Sequence, residues 1–168
     1  MTVSRLISSH DVLLRERADD DNEALYRLFG ESRHDLLSAV ASWNEAQQQF
    51  FLRSQFQTQQ DQYRSQYPDA RFDVIVADGE VIGNFYVAAG NDEFRLLDVN
   101  LCPRFRNCGI GGGLLQDLLA ESERTKKPVS LHVIQGNPAI RLYRRMGFKT
   151  VAAEDVYRRM EWRPAAPG

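Results

Sequence analysis

The chain contains little cysteine and no long apolar run. Its two cysteines, Cys102 and Cys108, have neither CxxC spacing nor a nearby histidine, which argues against a disulfide framework, a zinc site or a redox pair. No stretch approaches the roughly 20 apolar residues of a membrane-spanning helix, and no basic segment followed by an apolar core marks a secretory signal. We therefore expect a soluble cytoplasmic protein without a membrane partner.

A strong excess of charge is also lacking. The formal net charge is −2 and the isoelectric point is about 5.9, which argues against a surface that neutralises nucleic-acid phosphates. The 168 residues are enough to bury one full core, and no linker, repeat or low-complexity segment interrupts them before the tail. We expect a single domain over residues 1–168, with its core at about 12–163 and a short tail at 164–168.

What the chain does contain is a glycine-rich segment between a strand-like run, Phe94–Leu101, and an amphipathic run at 114–120. Residues 106–111 read Arg-Asn-Cys-Gly-Ile-Gly, and two more glycines follow. A helix that begins here leaves its first N–H groups without partners, and glycines let a phosphate approach them closely, so the segment predicts a phosphate site. It is neither a Walker loop, because no Lys-Ser or Lys-Thr pair follows, nor the dinucleotide fingerprint, because residue 114 is leucine.

A second motif follows the next strand-like run, Val129–Ile134. It begins at Asn137, reaches Tyr143 and ends in Gly-Phe at 147–148. Together and in this order, the two motifs resemble the GCN5-related N-acetyltransferase (GNAT) family, whose pattern is R/Q-x-x-G-x-G/A after a central strand and Asn…Tyr…Gly-Phe after the next strand. The resemblance covers roughly residues 71–162 and extends more loosely over the earlier part.

The resemblance implies an α/β fold, the GNAT fold, with a mixed and mostly antiparallel sheet whose central strands splay apart between flanking helices. Local patterns agree with such a sheet. They predict strands at 11–17, 72–77, 81–88, 94–101, 129–134 and 149–162, with Asp78-Gly79 as a hairpin turn. They predict helices at 20–33, 44–66, 111–125 and 138–146.

Transfer of an acetyl group from acetyl-CoA to a primary amine, by direct attack in a ternary complex and without a metal, is the activity that the resemblance implies. The acceptor is a small molecule or a peptide or protein. The residues implied in cofactor binding are Asn100, Leu101, Arg106, Asn107, Cys108, Gly109, Ile110, Gly111, Gly112, Asn137 and Tyr143. Asn107 replaces a common glycine but tolerates left-handed backbone angles. Cys108 replaces a common cation, so we expect a weaker diphosphate contact.

Tyr143 is implied as the general acid that protonates the departing thiolate; the alternative is a core tyrosine on an apolar helix face. Asn137 either contacts the pantetheine arm or caps the helix that follows. The candidate bases are Asp98 and Glu93. Asp98 interrupts an apolar strand, so it either lines the cleft or is a buried structural acceptor. Glu93 fits a solvated turn. The amine could also lose its proton to bulk water without a protein base.

The acceptor region is the least determined. The N-terminal helices contain several aromatic residues and several polar residues. The aromatic residues recur at helical spacing, which is typical of core, and the polar residues could hold a cationic amine. These are Trp43, Phe50, Phe51, Phe56 and Tyr63, with Glu31, His34 and Asp35. Arginines at 104, 106, 141, 144 and 145 either attract the phosphates of coenzyme A or form solvated faces. A coenzyme A-binding module without activity, a different acyl group and a homodimer remain open.

Overall fold

The computed structural model describes residues 3–7 and 10–167. Within them eight strands form one sheet: β1 (Val3–Ile7), β2 (His10–Glu16), β3 (Arg71–Ala77), β4 (Glu80–Ala89), β5 (Phe94–Leu101), β6 (Val129–Ile134), β7 (Lys149–Ala153) and β8 (Tyr157–Trp162). The α-helices are α1 (Asn22–Ser32), α2 (His34–Ala39), α3 (Glu45–Gln66), α4 (Ile110–Thr125) and α5 (Ala139–Arg145). Short 3-10 turns precede α1 and follow β5.

The sheet is mixed and mostly antiparallel, as predicted. Its strand order is β1-β2-β3-β4-β5-β6-β8-β7. Every neighbouring pair is antiparallel except β5 and β6, which are parallel. Helix α4 makes the connection between these two strands, because a parallel pair needs a crossover rather than a hairpin.

Helices cover both faces of the sheet. Leu25, Leu28 and Phe29 of α1 have the i, i+3, i+4 spacing of one apolar helix stripe, and they are buried with side chains of α3 and β3 in one cluster. The opposite face carries a larger cluster in which α4 and α5 pack against the central strands. The part of the sheet where β5 and β6 pair therefore lies between two helical layers.

Two predictions about elements need correction. Residues 149–162 were predicted as one strand, but they form the hairpin β7–β8, whose turn is closed by a hydrogen bond from the Glu154 N–H to the Tyr157 carbonyl (2.9 Å). Glu154 and Asp155 are turn residues, and a 14-residue strand would have been far longer than the usual 5 or 6. The predicted helix at 20–33 begins as a 3-10 turn at Asp19–Asp21.

Two elements were not predicted. They are β1 and α2, which are short and have no distinct periodic pattern. Their positions depend on contacts with β2 and α3, which local sequence does not report. Among the described residues, no helix combines the length and the apolar character that crossing a bilayer requires.

Candidate functional site

The two parallel strands at the centre of the sheet separate partway along their length. Parallel pairing joins them at Phe94–Val129, Arg95–Ser130 and Leu96–Leu131. From Leu97 onward β5 continues to Leu101, and β6 continues to Ile134, with no further ladder between them in the described part of the chain. The result is a wedge-shaped cleft whose edges present backbone N–H and C=O groups to a ligand.

A β-bulge lies where the cleft opens. Tyr86 of β4 pairs with Asp98, and the next residue, Val87, pairs with Leu96, so that Leu97 is an extra residue in β5. A bulge re-aims the backbone groups beside it. The hydroxyl of Tyr63, on α3, donates to the Leu97 carbonyl at 3.3 Å and holds the bulge from the helical layer above.

Asp98 occupies the first paired position after the bulge. Its carboxylate accepts a hydrogen bond of 2.8 Å from the side-chain amide of Asn84, on β4. Burial raises the pKa of Asp98, while the bond from Asn84 and the charge of Arg33 lower it in part. Asp98 is half-buried and accepts this bond at the point where the cleft opens, and its role in the site stays a prediction.

Tyr143 lies on α5, in the opposite helical layer. It is half-buried, and its ring packs against Phe148 with a centroid separation of 5.7 Å. Burial, and secondarily the carboxylate of Asp98, raise the pKa of Tyr143 to about 12. The structure therefore brings the two residues predicted as acid and base within electrostatic reach of each other.

The glycine-rich segment forms the start of α4. Gly109 precedes the helix with φ of 80°, and Asn107 also has a left-handed backbone with φ of 58°, so the predicted tolerance of asparagine for this conformation is confirmed. Gly109, the residue before the helix, has no side chain with which to cap it. The N–H of Gly113 donates back to the Gly109 carbonyl (2.9 Å), whereas the N–H groups before it lie in the first turn, where a helix offers donors to an anion.

The helix start adjoins the end of the cleft. A Cβ atom built on Gly111 would lie 3.7 Å from Cδ1 of Leu101. The Arg106 Nε donates to the Leu101 carbonyl at 2.9 Å, which ties the glycine-rich segment to β5. The Cys108 Sγ lies 3.5 Å from the Arg106 carbonyl, and no disulfide joins it to Cys102. The N–H groups of this first helical turn, beside the separated edges of β5 and β6, fit a diphosphate followed by an extended pantetheine arm.

Two other predicted residues occupy clear positions. The side-chain oxygen of Asn137 accepts a hydrogen bond from the Ala139 N–H at 2.9 Å, so Asn137 caps α5. Its amide nitrogen makes no hydrogen bond with the residues that the structure describes, which is compatible with a second role. Glu93 lies at the other end of β5, where it pairs with Arg95 (3.1 Å) and Arg159 (3.5 Å). The structure does not bring Glu93 to the cleft.

Sequence reasoning missed two residues near Asp98. The hydrogen bond to Asp35 is the main cause that raises the pKa of Arg33. The guanidinium of Arg33 also lies close enough to Asp98 and Tyr157 for their charges to raise this pKa further. Tyr157 begins β8 and also affects the pKa of Tyr63. No local signal predicts this convergence, because the residues come from three distant segments.

Most of the predicted acceptor-side aromatics lie elsewhere. Phe56 is core, and Trp43 packs edge-on against Phe51. Phe50 is 77% exposed near the start of α3, about 20 Å along the helix from Tyr63 at 1.5 Å per residue. Among these aromatics Tyr63 reaches the cleft. Over the described ranges, no group of three or more His, Cys, Asp or Glu residues is placed to hold a metal ion.

Comparison with known proteins agrees with this geometry. Residues 68–150 match the sequence profile of the acetyltransferase (GNAT) domain. The PaiA N-acetyltransferase of Thermoplasma acidophilum, solved in complex with coenzyme A, has a TM-score of 0.68 and 20% identity, and the alignment covers 91% of this chain and 99% of that one. A sequence comparison with curated proteins gives no match.

Two further solved structures share the fold. Ard1 from Thermoplasma volcanium has a TM-score of 0.63 and 22% identity, with 92% of this chain and 99% of that one covered. The ribosomal-protein-S18-alanine N-acetyltransferase of Escherichia coli has a TM-score of 0.64 and 18% identity, with 94% and 96% covered. The predicted fold is thereby confirmed. Residues 68–150 of this chain therefore form an acetyltransferase domain of the GCN5-related N-acetyltransferase family.

Proposed function

We propose that this protein transfers an acetyl group from acetyl-CoA to a primary amine by direct attack in a ternary complex. The observation that carries the proposal is the cleft beyond the Leu96–Leu131 pair, which has Asp98 on one side and Tyr143 on the other. An enzyme of this kind has mainly to align a thioester with an amine and manage two protons. These residues supply the groups for both tasks.

The donor would bind along the free edge of β5. The backbone of Asn100 and Leu101 would pair with the pantetheine arm, and the first turn of α4 would hold the diphosphate through the N–H groups of Ile110, Gly111 and Gly112. Arg106 and Asn107 shape this turn. The related PaiA structure contains coenzyme A, which supports the choice of donor.

The chemistry balances with two protein groups. Acetyl-CoA supplies an activated thioester carbonyl. Asp98, directly or through a water molecule, takes a proton from the protonated amine, and the free nitrogen then forms a bond to the carbonyl carbon as the carbon–sulfur bond breaks. Tyr143 gives its proton to the leaving sulfur and regains one from the acetylated nitrogen. Its pKa of about 12 keeps the hydroxyl protonated at neutral pH.

The local charge favours a cationic acceptor at the reacting position. Asp98 carries the nearest carboxylate, and Glu31, at the end of α1, has a buried Oε2 without a hydrogen-bond partner in the described ranges. The positive charge of Arg33 is matched by Asp35, which accepts two hydrogen bonds from it (2.9 and 2.8 Å). An ammonium group would therefore meet net negative charge before it loses its proton.

Thermal melting followed by thiol release tests the proposal. Acetyl-CoA should raise the melting temperature, because it binds the native state, and one class within a panel of polyamines, amino acids, aminoglycosides and peptides should then release coenzyme A thiol. A melting shift without turnover of any amine would favour a coenzyme A-binding module. A larger shift with a longer acyl-CoA would favour another acyl donor.

We also propose that the protein forms a homodimer through its β7 edge. All five residues of β7 are exposed, and its outer edge is the end of the sheet. Such an edge offers unpaired backbone groups to a second copy. Light scattering on the purified protein tests this, and a monomer at all concentrations would refute it.

A further inference from the structure

An apolar surface lies at the mouth of the cleft, on the sheet face that carries α1 and α3. Ile134 of β6 and Tyr157 of β8 form a cross-strand pair, and they are 45% and 49% exposed. Strand alternation places Ile134 opposite Val133, whose side chain belongs to the cluster under α4 and α5. Neither apolar cluster of the described residues includes Ile134 or Tyr157. The pair is therefore exposed apolar surface outside the core.

Asp98 lies on the same sheet face. Two residues further along β5, and so on the same side, the side-chain amide of Asn100 donates to the Leu28 carbonyl of α1 at 3.1 Å. Tyr157 is also near Asp98, since the charges of both act on the guanidinium of Arg33. The end of α1, the end of β5 and the start of β8 therefore surround one space.

The strand register gives the offset between the apolar pair and the reacting position. Counted from the last ladder pair, Leu96–Leu131, Asp98 is two residues along β5 and Ile134 is three residues along β6. Leu97 is the extra residue of the bulge, so Ile134 lies one to two residues beyond Asp98, or about 3–7 Å at 3.3 Å per residue. It lies on the other side of the opening between the two strands.

The hairpin turn that presents Tyr157 is fixed to the end of β6. The Gln135 N–H donates to the Val156 carbonyl (2.8 Å), and the Gln135 side-chain amide donates to the Glu154 carbonyl (3.1 Å). The exposed side chain of Val156 adds apolar area next to Tyr157. A surface that is already ordered loses little conformational entropy when a ligand covers it.

The paired charges of this face lie toward the ladder end of the strands. Glu93, just before β5, contacts Arg95 (3.1 Å) and Arg159 (3.5 Å). Glu161 contacts Arg159 (3.7 Å) and Arg163 (2.6 Å). These charges are matched within the protein, so the contacts that select an acceptor come from the open end of the cleft.

We propose that the acceptor carries a large apolar group beside its amine, with the ammonium at Asp98 and the apolar group on Ile134 and Tyr157. The offset along the strands and the gap between them are each about the size of one side chain, so a leucine or phenylalanine side chain beside the amine can reach the pair. Covering the pair removes apolar area from water and so favours binding. The inference rests on the proposed function and names the acceptor class for that site.

Steady-state kinetics with matched acceptors tests the inference. Three peptides of one length differ only in the first residue, which is Leu, Asn or Gly, so that Leu and Asn compare an apolar and a polar group of similar shape. Isoamylamine, ethanolamine and putrescine form a second arm, which separates small amines from peptides. The diamine is included because the hairpin turn also carries Glu154 and Asp155. We expect the kcat/KM of the Leu peptide, or of isoamylamine, to exceed that of its polar counterparts by about tenfold or more, the usual effect of filling an apolar site.

Two variants locate the preference. Ile134→Thr and Tyr157→Thr keep a β-branched residue in the strand, and each should lower the ratio of apolar to polar kcat/KM about tenfold. Tyr157→Phe keeps the ring and should retain the ratio. Phe50→Thr, which alters an exposed aromatic residue near the start of α3, is the control and should also leave the ratio unchanged.

Three results overturn the inference and leave the proposed function intact. The first is equal or faster turnover of the Asn peptide or of putrescine, and the second is an unchanged ratio in both Thr variants. The third is loss of a dimer in Ile134→Thr, measured by light scattering, with the ratio unchanged, because this would assign the surface to a second copy. Absence of turnover with every acceptor overturns both the inference and the proposed function.

Discussion

Burial raises the pKa of the Tyr143 hydroxyl, and the carboxylate of Asp98, across the cleft between β5 and β6, raises it further. The two side chains reach this cleft from opposite helical layers, since Asp98 lies under α1 and α3 and Tyr143 projects from α5. The site thereby holds both the carboxyl of Asp98, which must be ionised to act as the base, and the hydroxyl of Tyr143, which must stay protonated to act as the acid. The pKa values of both groups are raised, as is typical of residues that transfer protons.

Replacing Tyr143 with Phe should lower kcat about 100-fold, a typical loss for a general acid. The KM for the amine and the affinity for acetyl-CoA should change little, because the ring and its packing on Phe148 remain. Thiol-release kinetics and calorimetric titration with acetyl-CoA measure the two quantities. Tyr26→Phe, which removes a hydroxyl bonded to exposed Gln49, is the control. An unchanged kcat in Tyr143→Phe would contradict the assignment of Tyr143 as the general acid.

Replacing Asp98 with Asn should lower kcat/KM and change its pH dependence. The carboxyl must be ionised to accept a proton, so wild-type activity should rise with pH through the pKa of Asp98, which burial holds above its ordinary value. Asp98→Asn should lose that acidic limb, and its kcat/KM should be about 100-fold lower than that of the wild type. A retained acidic limb in the variant would assign the limb to another group.

The same substitution should stabilise the fold. Because the folded pKa of Asp98 lies above the unfolded one, ionisation of this buried group opposes folding, and the cost is absent at low pH and grows as pH rises through the folded pKa. The asparagine amide has no such cost and can still accept the bond from Asn84. Asp98→Asn should therefore melt above wild type at pH 7, and the difference should vanish near about pH 4. A lower melting temperature at pH 7 would contradict this account of its burial.

Replacing Gly111 with Asp should separate helix stability from donor binding. A Cβ at this position meets only ordinary contact at 3.7 Å, and a carboxylate in the first turn of α4 favours the helix dipole by about 0.3–1 kcal/mol. The same charge repels a diphosphate. We expect an equal or higher melting temperature without ligand and loss of most of the shift with acetyl-CoA. An unchanged melting shift with acetyl-CoA would show that the diphosphate does not bind at the start of α4.

Replacing Gly83 with Ala should disturb the end of β5. A Cβ there would lie 2.1 Å from the Asn100 carbonyl oxygen, so the strand must shift, at a cost of about 1–3 kcal/mol. The melting temperature should fall, and the affinity for acetyl-CoA should fall with it. For the melting temperature alone, the control is Gly112→Ala, whose Cβ would approach Leu142 Cδ1 only to 3.8 Å. Equal melting of Gly83→Ala and wild type would show that the strand end adapts freely.

Replacing Tyr63 with Phe tests the hydrogen bond that holds the bulge. Loss of the bond to the Leu97 carbonyl should lower kcat several-fold, about the effect of 1 kcal/mol, while the packing of the ring on Tyr86 persists. Kinetics at saturating acetyl-CoA measure this effect. No change in kcat would mean that the bulge keeps its geometry without α3.

Parts of this site could be predicted from sequence because their signals are local. Gly109 and Gly111 mark a helix start after an apolar strand, Tyr143 lies at a fixed distance from Asn137, and Asp98 stands out within an apolar run. The positions of β5, β6 and α4 agree with prediction to within one residue. These features depend on neighbouring residues along the chain.

Other parts depend on contacts between distant segments. Arg33, Tyr63 and Tyr157 meet around Asp98 because α1, α3 and the β7–β8 hairpin converge there, and the hairpin itself was predicted as one strand. This convergence cannot be read from hydrophobic periodicity, because the strand order β6-β8-β7 is set by packing.

The mass of an amine acceptor after incubation with the protein and acetyl-CoA tests the central claim most directly. The account predicts an acetylated acceptor and coenzyme A thiol in equal amounts, with both strongly reduced in Tyr143→Phe. Binding of acetyl-CoA with no acetylated product from any amine class, or thiol release with an unmodified acceptor, would contradict it.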